Sequence, residues 1–206
     1  TSTSAGGSAT ISGNFSLTGT RVFNVTNGPN SIDLSVAANV GGGGITKNGT
    51  GTLRLGGNNS FTGPMTVNAG FLDLISNNAL GNGGQGTTLN GTGSLLLEGV
   101  TISNEWLTNN VANAVVQALG GVTSTWNSNV VLNADMNAQV FTTGNFNVVG
   151  AISGAGGLTK SLPGTMTLSG PGNTYAGDTL VNEGVLQLDS VWALHYGTLY
   201  VGDGWG

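Results

Sequence analysis

Residues 49–74 read GTGTLRLGGNNSFTGPMTVNAGFLDL, and residues 163–188 read PGTMTLSGPGNTYAGDTLVNEGVLQL. A chain that writes one pattern twice is built of units that stack, because a short unit cannot bury its own apolar face alone. The two copies align with an offset of 113 residues from Lys47 to Lys160 and take one inserted residue in the turn of the second. Val67–Leu74 then matches Val181–Leu188. The match extends upstream, where Val22–Val25 resembles Val140–Thr143 and Asp33–Val36 resembles Asn145–Val148. Downstream, Ala79-Leu80 matches Ala193-Leu194. This spacing predicts a single domain over 1–206, with one unit over about 14–127 and a second, truncated unit over about 129–206.

Inside each unit apolar residues alternate with polar ones, as in Thr52-Leu53-Arg54-Leu55. A period of two marks a strand with one buried face. Gly-Gly, Asn-Gly and Gly-Pro turns separate the strands, at places where positive φ is cheap. Disorder is the rival reading of 38 glycines, but 38% hydrophobic residues exceeds what a disordered chain carries. Only 6% of residues are charged, against about 25% in ordinary domains. In-register stacking accounts for this, since like charges on adjacent strands repel. It also lets recurring Asn and Thr side chains bond up and down a ladder.

The pattern G-G-[IL]-T-K-x-G-x-G-T-L-x-L, followed by N-x-[FY]-x-G and V-N-x-G-x-L-x-L, runs from Gly43 to Leu74 and returns with variation from Gly156 to Leu188. It resembles the autotransporter-associated β-strand repeat. The resemblance implies an all-β, right-handed parallel β-helix, or β-solenoid, in a large secreted or surface protein of bacteria. It does not imply an enzyme. Pro163 departs from the usual glycine start of the second copy. Coils of about 20 to 25 residues would give roughly eight to ten of them. One segment resists: Val111, Val115, Ala118 and Leu119 would share a helical face, which predicts a short helix near 108–119.

The four basic residues, Arg21, Lys47, Arg54 and Lys160, are too few to neutralise phosphates, so nucleic acid is not an expected partner. No run is long and apolar enough for a membrane helix, and no membrane insertion is expected. There is no cysteine. The nine acids are not adjacent; only Asp178 and Glu183 share a strand–turn unit, and solvated surface groups are the expectation for all nine. His195 is the lone histidine, too little for a triad or a zinc site. GNGGQG at 81–86 has the glycines of a calcium loop without its aspartate. No catalytic, cofactor or metal residue is therefore assigned. Lys47 and Lys160 read as lysines whose stems cover apolar surface at a turn. Five Asn-x-Ser/Thr sequons begin at Asn14, Asn24, Asn48, Asn58 and Asn90.

Trp192, Tyr196, Tyr200 and Trp205 gather near the C-terminus and are the candidate end-docking residues. The leading expectation is an extracellular or cell-surface structural rod that self-associates end to end, or stacks on neighbouring repeats of a larger chain. The alternative is an adhesin-like passenger module binding glycans or other surface partners, with Trp106 and Trp126 as candidate contacts.

Overall fold

Residues 7–103, 105–194 and 196–202 are described by the structure, a computed structural model. They form parallel strands coiled into a β-solenoid of about nine turns. Registered partners on successive coils lie 19 residues apart at the shortest, Leu34 with Leu53, and 25 at the longest, Ala9 with Leu34.

The coils have three faces. The first carries strands Arg21–Asn24, Ile45–Asn48, the starts of Met65–Leu74 and Thr87–Leu97, then Leu107–Asn109, Val130–Leu132 and Ile152–Ser153. The second carries Ala9–Ile11, Leu34–Val36, Thr52–Leu55, the later halves of the same two long strands, Ala114–Ala118, Met136–Val140, Leu158–Ser161, Thr179–Val181 and Leu199–Val201. Because the two long strands turn the corner between faces, these faces form one 15-stranded sheet. The third face holds a 3-stranded sheet, Asn14–Leu17, Asn39–Gly42 and Ser60–Phe61. Beyond it comes a 5-stranded sheet, Thr101–Ile102, Thr123–Trp126, Asn145–Val148, Thr165–Leu168 and Val185–Leu188.

Alternation decides what points inward. Leu53 and Leu55 are fully buried between half-buried Thr52 and Arg54, and Met166 and Leu168 repeat this in the second unit. One continuous apolar core results, running from Leu17 to Ala193. Each inward Leu or Val removed from water contributes about 1.5–3 kcal/mol. The first and last described strands of the second face, Ala9–Ile11 and Leu199–Val201, are exposed along their whole length.

The register also corrects two expectations. No helix occurs among the described residues, and 108–119 is strand: Leu107–Asn109, a turn with Asn113 at φ 61°, then Ala114–Ala118. Ala114, Val116 and Ala118 point inward with period two, and strands on both sides offer a ready ladder to β-branched Val115 and Val116. The upstream alignment of Val22 with Val140 is three residues out. Val22 registers with Thr46 as Asn137 does with Thr159, so Val22 and Asn137 are the equivalents.

A consequence of this topology is invisible in a linear alignment. Ile45–Asn48 lies on the first face, but its counterpart Leu158–Ser161 lies on the second. Thr52–Leu55 lies on the second face and its counterpart Thr165–Leu168 on the third. The two units are separated by five coils and one face, so the second is turned by one face about the rod axis.

Candidate functional site

The interior features that the two units share show what the scaffold demands. Lys47 and Lys160 are fully buried, including their ammonium groups. Lys47 Nζ donates to the carbonyls of Gly49 (2.8 Å) and Ala69 (2.7 Å), with Asn48 O at 3.5 Å. Lys160 Nζ donates to Ser161 O (3.0 Å), Glu183 O (3.0 Å) and Leu162 O. Three donors thus meet three carbonyls of two successive turns. Burial lowers the Lys47 pKa to about 8, partly offset by the negative charge of Asp33, which still leaves it cationic at neutral pH. Both lysines are therefore internal staples and not a ligand-contacting stripe, and their heads go deeper than a stem lying on a turn surface. Asn59 and Asn173 are the second shared device. Each accepts from the coil below, at Val40 N or Ile152 N (2.8 Å), and donates to the coil above, at Ala79 O (2.7 Å) or Ala193 O (2.8 Å).

Where the scaffold does not dictate the residue, the units diverge. The outward column Thr46–Thr66–Thr88 of the first unit is replaced by Thr159–Leu180–Tyr200 in the second. At the adjoining corner, Thr20 and Pro64 of the first unit correspond to Asp135 and Asp178. A groove of about 400 Å³ results on the second face, lined by Asp135, Gly157, Thr159, Asp178, Leu180 and Tyr200. Asp135 Oδ1 accepts from Gly157 N and Asp178 Oδ1 from Thr198 N, both at 2.7 Å, so each carboxylate is pinned by one oxygen. Gly157 must lack a side chain, since a Cβ there would meet Asp178 O at 2.5 Å.

Of the four end-docking candidates, Tyr200 lies in this side groove. Trp192 is half-exposed at a separate hollow of about 300 Å³ with Pro171, Gly172, Asn173 and Thr174. Tyr196 is half-exposed. Trp205 and His195 lie outside the described residues. A hollow on the last described coil is lined by aliphatic residues, among them Val181, Val185, Leu186, Leu188, Leu199 and Val201.

A family model described as the passenger-associated-transport-repeat matches residues 45–74 and 158–188. The chain carries two passenger-associated transport repeats. Over 189 residues, 88% of its length, the chain is 35% identical to the adhesin BmaC autotransporter of Brucella suis biovar 1 (strain 1330). It spans 5% of that relative's length. No solved structure matches it.

The expectation of solvated acids needs correction in and beside the first transport repeat. Asp73 is fully buried, held by Arg54 Nε at 2.6 Å, while the same guanidinium reaches Glu98 through Nη2 at 2.6 Å. Its other oxygen, Oδ1, is buried without a partner. Burial raises the Asp73 carboxyl to about 6, against the lowering effect of the Arg54 hydrogen bond. Glu105 is buried too and accepts from Thr87 Oγ1 (2.8 Å); burial raises it to about 7. Neither lies in a lining of the grooves described above. Trp126 is fully buried and cannot stack on a sugar, whereas Trp106 is 61% exposed. Among the described residues no three acids or histidines come together as metal ligands, and no helix is long and apolar enough to cross a membrane.

Proposed function

We propose that this chain is a segment of the extracellular passenger of an autotransporter-type adhesin, working at the bacterial surface as a rigid, non-catalytic rod that carries contact sites on its faces. One observation carries this reading: 35% identity to an adhesin autotransporter sustained over 88% of the chain, not confined to the two repeat motifs. The solenoid supports it physically. Stacked coils extend a chain from the cell at about 4.8 Å per strand, and variable outward residues decorate an unchanging core. The test is adhesion of beads coated with the purified chain to host-cell monolayers. Beads that adhere no better than albumin-coated ones would remove the adhesive role.

A second reading is end-to-end association, in which the aliphatic hollow of about 310 Å³ on the last described coil, around Leu186 and Leu199, would seat a further coil. Contacts of this kind do not close and make filaments. Electron microscopy of the purified chain decides it: filaments that disappear when residues 189–206 are removed support it, and isolated rods at all concentrations reject it.

A further inference from the structure

The groove on the second face combines an aromatic ring with oriented carboxylates, and the fold requires neither. Two coils separate Asp135 from Asp178, about 10 Å along the rod. Tyr200, half-exposed, follows Leu180 in the outward column beside them. At about 400 Å³ the groove falls within the usual size of ligand sites, roughly 300–1,000 Å³. The equivalent corner of the first unit has Thr20, Pro64, Thr66 and Thr88, and it folds with the same registry. Asp135, Asp178, Leu180 and Tyr200 are therefore additions to the scaffold.

We infer that this groove binds a neutral, hydroxyl-rich glycan. The flat apolar face of a pyranose matches the Tyr200 ring and the Leu180 side chain, and the phenol offers a polar edge to sugar hydroxyls. Each aspartate spends Oδ1 on a backbone N–H, which fixes the carboxylate and directs Oδ2 as a charged acceptor for a hydroxyl donor. Thr159 adds a hydroxyl that both donates and accepts. Among the described residues no cation lines the groove, so uronic or sialic acids would meet two carboxylates without compensation. The inference rests on the surface-adhesion reading and gives that reading a ligand class.

The experiment prints neutral oligosaccharides, acidic oligosaccharides and an oligolysine peptide on one array and probes it with the labelled 206-residue chain. A triple variant, Asp135→Thr, Leu180→Thr and Tyr200→Thr, installs the first unit's own residues and should keep the fold. Binding to neutral glycans, at least tenfold weaker in the triple variant, is the expected result. Should the triple variant lose its β-sheet circular dichroism, Asp178→Asn takes its place. That substitution keeps the oxygen that accepts from Thr198 N and should also weaken binding at least tenfold. A blank array, a preference for acidic glycans, binding to oligolysine alone, or equal binding by the variants would overturn the assignment. Bead adhesion separates the two readings: adhesion with a blank array removes the groove and leaves the adhesive role, while a positive array with inert beads does the reverse.

Discussion

Lys47 and Lys160 are half of the basic residues of this chain, and both are spent in the interior. Each ties the carbonyl ends of two successive turns, a task suited to an ammonium with three donors. Lys47→Met keeps the apolar stem but strands those carbonyls, and should lower stability by roughly 2–3 kcal/mol in urea unfolding. A second pair shows the same logic of satisfied polarity. Phe61 and Met65 of the first repeat are Tyr175 and Thr179 in the second, and the new hydroxyls bond each other at 2.6 Å in the core. Thr179→Met alone should cost about 1–3 kcal/mol by orphaning the Tyr175 hydroxyl, whereas adding Tyr175→Phe should recover most of it. A double-mutant cycle by chemical unfolding checks this. The buried ionisable groups set the pH profile. Asp73 and Glu105 hold their protons more tightly folded than unfolded, so stability is highest at acid pH. It falls as pH rises from about 4 through 6 for Asp73 and 7 for Glu105. Lys47 is lowered to about 8 and has the opposite sign, returning stability between about 8 and 10.5. The urea midpoint should pass through a minimum near pH 7–8, and Glu105→Gln should flatten the acid limb. A midpoint that rises steadily from pH 4 to 8 would contradict the assignment.

At the scale of one coil, stability is carried by columns that the sequence announces only as spaced asparagines. Asn48, Asn68, Asn90, Asn110 and Asn133 link in one ladder, each amide nitrogen donating to the oxygen of the preceding member at 2.7–3.3 Å. Asn14 and Asn39 bond at 2.9 Å, and Asn78 donates to Asn58 at 2.6 Å, on the third face. Four of the five sequon asparagines thus hold side-chain bonds across coils. Asn68→Ala, in mid-ladder, breaks two links and should cost about 1–2 kcal/mol in thermal or urea unfolding. The strands, their alternation and the stacking were legible because period two recurs in almost every segment. The false helix at 108–119 arose because Val111, Val115 and Ala118 fit a period near 3.6 by chance, while inward Ala114, Val116 and Ala118 fit a period of two equally well. Parity would have separated the tryptophans: Trp106 precedes inward Leu107 and so faces out, and Trp126 shares the parity of inward Ser124. The groove was not legible. Asp135 and Asp178 are 43 residues apart, and only a known coil length makes that two turns. Nor do lysines at turns declare that their heads go inside, since that depends on carbonyls supplied by a neighbouring coil.

At the scale of the molecule, the rod is on the order of 40 Å long, nine steps of one strand spacing. At the far end of the described coils, Val185, Leu188 and Val201 are exposed to solvent at 50%, 44% and 76%. If that end associates, Leu188→Lys with Val201→Lys should abolish concentration-dependent species in sedimentation velocity while leaving the circular dichroism unchanged. Identical sedimentation of native and variant chains would show that the end is inert. The displacement of the two repeats by five coils and one face has a wider reach. In any array keeping this interval, equivalent sites climb the rod like the treads of a spiral stair. Neighbouring copies look in different directions, and only every third returns to the same bearing. A flat receptor layer could be gripped by one copy in three, whereas a pliant strand wound about the shaft could meet them all.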